Sequence, residues 1–180
     1  MPRLQNRTFR GLGGTQHSWA NACVGNNGNP SYVEYAKGFS RAANALIEKV
    51  LEREDFDFHV DDFIYPICFN MRHSVELRLK GVARSLQELS RITGRKVDPF
   101  NAETVHDIAK IFDYVGDQSN HIDHRFKPFI DDLKDFVSNL SEVDPTGQTF
   151  RYPFDNNGEN KHLVDVGVIN VYVLRDRFRN

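Results

Sequence analysis

The chain has 180 residues, a hydrophobic fraction of 39%, a charged fraction of 27% and a net charge of −2. That is enough chain for one ordinary core and too little for two full domains, and the balance is that of a soluble globular protein rather than a disordered one. A near-neutral net charge excludes a wholly basic nucleic-acid binder, leaving room only for a local patch.

Cys23 and Cys68 lie far apart, and no CxxC pair offers a zinc knuckle or a redox motif. Two free thiols in a reducing cytoplasm are the plainer expectation. The opening MPRLQNRTFRGLGGTQHS carries no apolar core of a signal peptide. The longest apolar-rich run, Val166 to Leu174, is about half of what a membrane span needs.

Residues 1–30 read as an irregular arm, rich in turn formers (GLGG, GNNGNP) and in arginine (Arg3, Arg7, Arg10). Trp19 predicts that the second half of the arm packs down, because a lone indole is usually partly buried. Residues 31–180 read as a helical domain. A first helix is predicted over Ser31 to Arg53, with Ser31 and Glu34 as a capping box. The acidic stretch EREDFDFHVDD then interrupts the pattern.

The second helix, Phe63 to Thr93, is the longest, with Pro66 in its first turn. Ile67, Met71, Val75, Leu79, Val82, Leu86 and Leu89 form its stripe, while Phe69 and Leu77 fall off it. Apolar residues on two sides predict a central helix. A third helix is expected over Ala102 to Val115. A fourth is expected over Ile122 to Leu140, beginning nearer Lys127 if Pro128 is to be accommodated. DPTGQTFRYPFDNNGEN breaks the pattern, with Phe150 to Phe154 as an extended strap. The last segment, His162 to Phe178, fits a helix or a strand; a helix is favoured because a lone strand would lack a partner. The expected fold is an all-α, five-helix bundle with one non-helical strap.

The most informative window is PICFNMRHSVELRLKGVARSL. Arg72, Glu76 and Lys80 follow one another at i, i+4 and i+8 and form a polar ridge. Arg72 lies close enough to the apolar stripe to be half buried, and a half-buried guanidinium needs an acid or a carbonyl. Glu76 is its nearest candidate. The ridge reads either as a structural charge ladder or as the lining of a groove for an anionic ligand or RNA. His106 and Asp107 sit near the third helix start, where His106 is a candidate general base or a packing residue. Arg151 and Tyr152 on the FRYP strap suit docking on a ligand or on the bundle itself. His121, His124, Asp117 and Asp123 lack a metal-site pattern, so no metal is expected. No GxxxxGK[ST], GxSxG, HExxH or GxGxxG occurs, and no cofactor is expected.

The run Phe69 to Lys80 resembles the RHxxEhxLK helix of HEPN-like proteins. The upstream helix SYVEYAKGFSRAANALIEKV, the Val105–Ile108 start and the FRYP strap are similar to those of small bacterial HEPN-like proteins. The resemblance implies a helical bundle that often dimerises, and a role in toxin–antitoxin, abortive-infection or other antiviral systems. Active members are metal-independent ribonucleases with an Arg-x(4–6)-His motif shared across a dimer. Arg53 and His59 fit that spacing, as do Arg10 and His17. Glu54 stands where the family has Asn, Asp or His, and Glu52, Glu54, Asp55 and Asp57 would repel a phosphate. The leading expectation is thus a cytoplasmic, homodimeric HEPN-like binding or regulatory module with a protein partner encoded nearby, and with Arg72, Glu76, Lys80, Arg151 and Tyr152 as ligand-binding residues. The alternatives are a ribonuclease toxin cleaving RNA, with Arg53, His59 and His106 as catalytic candidates, and a structural adaptor without ligand.

Overall fold

The computed structural model describes residues 8–11, 14, 17–52 and 60–179. It divides into two compact units, Met1–Pro30 and Ser31–Asn180. In the first unit every described residue from 8 to 29 is exposed. Trp19, in a 3-10 turn at Ser18–Ala20, is 83% exposed. The expected packing of this indole is not met, because Phe9 and Val24, its apolar companions in the arm, are exposed as well.

The second unit is an all-α bundle of five helices among the described residues: α1 (Tyr32–Leu51), α2 (Val60–Thr93), α3 (Ile108–Ile122), α4 (Lys127–Val143) and α5 (Val171–Arg179). Helix α1 starts as its capping box dictates. Ser31 Oγ accepts from the Val33 amide at 3.2 Å, and Glu34 reaches back to the Ser31 amide at 2.9 Å. Helix α2 starts three residues earlier than expected, so Pro66 lies in its second turn.

The third helix is displaced from its expected position. Asn101 to Thr104 form a turn, with the Thr104 amide on the Asn101 carbonyl at 3.3 Å. The helix waits for Asp107, whose carboxylate accepts from the Lys110 amide at 3.2 Å. It then runs through Gly116 to Ile122. Gly116 is a close-packing position: a Cβ there would lie 3.2 Å from Ile130 Cγ2 of α4. Helix α4 begins at Lys127, with Pro128 in its first turn and a 3-10 turn at His124–Phe126 before it.

The C-terminal segment is helical only from Val171. Asn170 ends the irregular stretch, because its side-chain oxygen accepts from the Tyr172 amide at 2.9 Å and the Val173 amide at 3.2 Å. No strand forms among the described residues; a single bridge pairs Phe154 with Lys161. The strap is not extended at its start. The Arg151 and Tyr152 amides both donate to the Gln148 carbonyl at 3.0 Å, making a tight turn.

Helix α2 is central, flanked by α1 and by α3, while α4 packs on α3 and α5 on α1. Two apolar clusters form along it. One joins Ala43 and Ile47 of α1, Ile67 and Met71 of α2, and Val171 of α5. The other joins Leu79 of α2, Ile111 and Phe112 of α3, and Val137 of α4. The buried arc of α2 is wider than the apolar stripe. Val82 and Leu89 are exposed, Ala83 and Leu86 are buried, and Arg72, Glu76 and Lys80 are buried as well. None of the described helices is long and apolar enough to cross a membrane.

Candidate functional site

Arg72 is the largest fully buried side chain, 1% exposed, where the sequence suggests half burial. A guanidinium has five N–H donors and no acceptor, so each buried donor left alone costs free energy. The bundle answers them from three directions. Nη1 donates to the Glu76 carboxylate one turn along α2. Nε donates to the Asp144 carbonyl at 3.1 Å. Nη2 donates to the His106 carbonyl and to the Pro145 carbonyl, each at 2.7 Å. The residues before α3 and those after α4 are thereby tied to the middle of α2.

The surroundings are built around this fork. The Pro145 carbonyl also accepts from the Ile108 amide at 2.9 Å, which satisfies an amide left over at the α3 N-terminus. Asp144 is 0% exposed, and its Oδ1 accepts from the Thr149 amide at 3.1 Å. Its Oδ2 lies 3.9 Å from Arg72 Nε and makes no hydrogen bond. Gly147 stands over the guanidinium with φ +80°, and a Cβ there would be 3.0 Å from Arg72 Nη1. Backbone conformation and space both demand glycine at this position.

Glu76 and Lys80 complete the cluster at 3% and 4% exposure, with Lys80 Nζ 2.8 Å from Glu76 Oε1. Arg72 and Lys80 balance Glu76 and Asp144 in formal charge. Burial alone would raise the Glu76 pKa. The His73 imidazole, the Lys80 ammonium and the Arg72 guanidinium outweigh that and hold the carboxyl well below the usual carboxylate range. Beside Asp144, burial pushes the Cys68 thiol up to about 12.

At the outer edge of the cluster His106 Nδ1 lies 3.1 Å from Glu76 Oε1, with its side chain 62% exposed. His73 Nδ1 lies 3.9 Å from the other carboxylate oxygen. His73 stacks on Phe69 (ring centroids 5.5 Å apart) and meets the edge of Phe39 (4.5 Å). His73 is a member of this site that the ridge spacing does not single out. Its signal was its place three residues before Glu76, on the same helix face.

Among the ligand-binding candidates, Arg72, Glu76 and Lys80 meet, but inside the protein, and His106 joins them through both its carbonyl and its ring. Arg151 and Tyr152 are exposed and attach differently. The Arg151 guanidinium lies over the Phe69 ring, 5.7 Å from its centroid, and its Nη2 donates to the Tyr152 hydroxyl at 3.3 Å. No contact of Arg151 with Glu76 is formed. Arg53 and His59 lie outside the described residues. Among the described residues no three His, Cys, Asp or Glu side chains converge as a metal site would require. No family model, no curated protein and no solved structure matches this chain.

Two predictions follow from the buried cluster. Arg72→Met removes the guanidinium from the buried Glu76 carboxylate and from the Asp144, His106 and Pro145 carbonyls, which should cost about 3–5 kcal/mol and lower the melting temperature by on the order of 10 °C. Arg72→Lys should do little better, since an ammonium cannot reproduce the fork. Gly147→Ala should cost about 1–3 kcal/mol from its left-handed backbone, with any push on Arg72 added to it. A calorimetric series on these three variants checks all of them. The second concerns acid. The folded Glu76 pKa is depressed below the unfolded value of about 4.3, so its contribution is fully present above that value and is lost as pH falls towards the folded value. Urea unfolding between pH 7 and pH 3 should show a steeper acid loss for the wild type than for Glu76→Gln, in which Arg72, Lys80, His73 and His106 face an amide.

Proposed function

We propose that the chain is a HEPN-like binding module of a bacterial stress or phage-defence system, cytoplasmic and homodimeric, acting through its strap. One observation carries the reading. The Arg72–Glu76–Lys80 ridge is consumed within the bundle, while the strap it anchors holds Arg151 and Tyr152 out at the surface. A buried, fully engaged ridge suits a scaffold that fixes a recognition segment, and an exposed arginine propped on aromatic rings suits recognition. The resemblance of the Phe69–Lys80 helix to HEPN-like proteins supplies the biological setting. A ladder in which every member is already paired has little left to offer a ligand, so Arg72, Glu76 and Lys80 act as positioning residues in this reading.

A second reading, a metal-independent ribonuclease, is favoured by one contact. The buried Glu76 carboxylate meets His106 Nδ1 at 3.1 Å, and an imidazole oriented this way by a carboxylate is equipped for acid–base work at its other nitrogen. A cleavage assay separates the two. The purified chain is incubated with a fluorophore-labelled mixed-sequence RNA in excess EDTA. The binding-module reading predicts no cleavage above that of a His106→Ala, Arg53→Ala and His59→Ala triple variant. Cleavage that falls at least tenfold in any of the single variants would establish the ribonuclease reading in its place.

A further inference from the structure

The turn-rich stretch after α4 folds back on itself with its own hydrogen bonds. The Asp155 amide donates to the Asn160 carbonyl at 2.9 Å and the His162 amide to the Pro153 carbonyl at 3.1 Å, either side of the Phe154–Lys161 bridge. The Asp155 carboxylate closes the turn by accepting from the Asn157 and Glu159 amides and from the Asn160 side chain. Arg151 and Tyr152 are thereby set on one limb, and Lys161 and His162 on the other.

A trough of two adjoining cavities runs between these limbs and the start of α2, and a third cavity lies against the first limb. The central one, about 470 Å³, is lined by Tyr65, Arg151, Lys161 and His162 among others. Its neighbour on one side, about 390 Å³, shares Tyr65, Phe150, Leu163 and Val166 with it and continues along Ile64 and Val168. The neighbour on the other side, about 420 Å³, shares Tyr152 and Pro153 and ends at Phe154 and Asp155. Each is of the size that takes a side chain or a small ligand.

The chemistry of the trough is uneven. Among the described residues the charged side chains in its centre are Arg151 and Lys161, and no described carboxylate lines it. His162 Nε2 is buried beside them without a hydrogen-bond partner. Two cations facing no described acid favour an anion between them. The outer cavities differ: one has Ile64, Leu163, Val166 and Val168 in its lining with Asp61 on its wall, and the other carries Asp155. A nucleic-acid backbone has a phosphate at every residue and would pass both carboxylates. An extended peptide places alternate side chains on one side, so it can put one acid in the centre and an apolar group beside it.

We propose that this trough is the docking site for an extended segment of a partner protein, with an Asp or Glu carboxylate between Arg151 and Lys161, and an apolar side chain two residues away against Ile64, Leu163 and Val168. The proposal deepens the binding-module reading and rests on it. The strap is held in place by the buried Arg72 cluster, so the trough is preformed and little ordering remains for binding to impose.

The test uses the full chain as bait for a phage-displayed library of random dodecapeptides, followed by fluorescence polarisation with the enriched peptides as synthetic probes. Enrichment of an acidic residue two positions from an aliphatic or aromatic one is expected. Arg151→Glu/Lys161→Glu should weaken these probes at least tenfold, Val168→Asp should weaken them several-fold, and a lysine in place of the probe's acid should restore binding to the charge-reversed chain. All these positions are surface-facing, and melting temperatures within about 2 °C of wild type would confirm an intact fold. No enrichment, enrichment without the acid, or affinity indifferent to the charge reversal would overturn the proposal. So would tight binding of a single-stranded oligouridylate that the charge reversal abolishes, which would make the trough a nucleic-acid site. Any of these failures leaves the EDTA cleavage result untouched, so the loss of this site and the loss of the binding-module reading are told apart.

Discussion

A guanidinium taken out of water must be answered on every side, and the architecture of this bundle follows from that demand at Arg72. Glu76 supplies charge from the same helix, but the remaining acceptors are main-chain carbonyls of His106, Asp144 and Pro145. Those three residues belong to the loop before α3 and the loop after α4. One side chain thus fixes where two connections end, and the path of each chain segment beyond them. Apolar clusters above and below hold the helices together. They are non-directional and would tolerate sliding; the fork tolerates little, because four of its five donors have assigned places. A charged core of this kind is not needed for stability as such, since well-packed apolar groups often do as well. Its value here is positional.

The consequence for the surface is direct. Asp144 turns the chain out of α4 and binds the Thr149 amide, Gly147 passes flat over the guanidinium, and the turn at Gln148 then brings Arg151 and Tyr152 out to the surface. Arg151 rests on Phe69, Phe69 stacks on His73, and His73 faces Glu76. The exposed Arg151 and Tyr152 are therefore connected to the buried cluster by packed groups as well as by the chain. Rigidity in the interior becomes preorganisation at the rim.

Much of this was legible in the residues. The i, i+4 spacing of Arg72 and Glu76, the Ser31–Glu34 capping box and the two-sided apolar pattern of the longest helix each name a local interaction, and local interactions survive in the structure. What was not legible depended on main-chain partners or on distant packing. A carbonyl acceptor has no residue type, so Pro145 and the backbone of His106 gave no signal. The third helix passes its expected end at Val115 and continues through Gly116, which is a contact point with Ile130. The third helix start at Asp107 rather than Ala102 was decided by a cap that periodicity ignores. The last helix is short because Asn170 caps it, although the β-branched residues before it are as apolar as those within. Trp19 shows the reverse failure: a residue preference for burial that the structure does not meet, since the indole is exposed.

The central claim is that the Arg72 cluster is an interior tie holding both loops, and hydrogen exchange at two amides tests it most directly. The Ile108 amide is bound to the Pro145 carbonyl and the Thr149 amide to the Asp144 carboxylate, and neither bond lies within a helix. The account predicts that both exchange as slowly as the amides in the middle of α2, through global unfolding alone. Exchange at the rate of an open loop, with the α2 amides still protected, would contradict it.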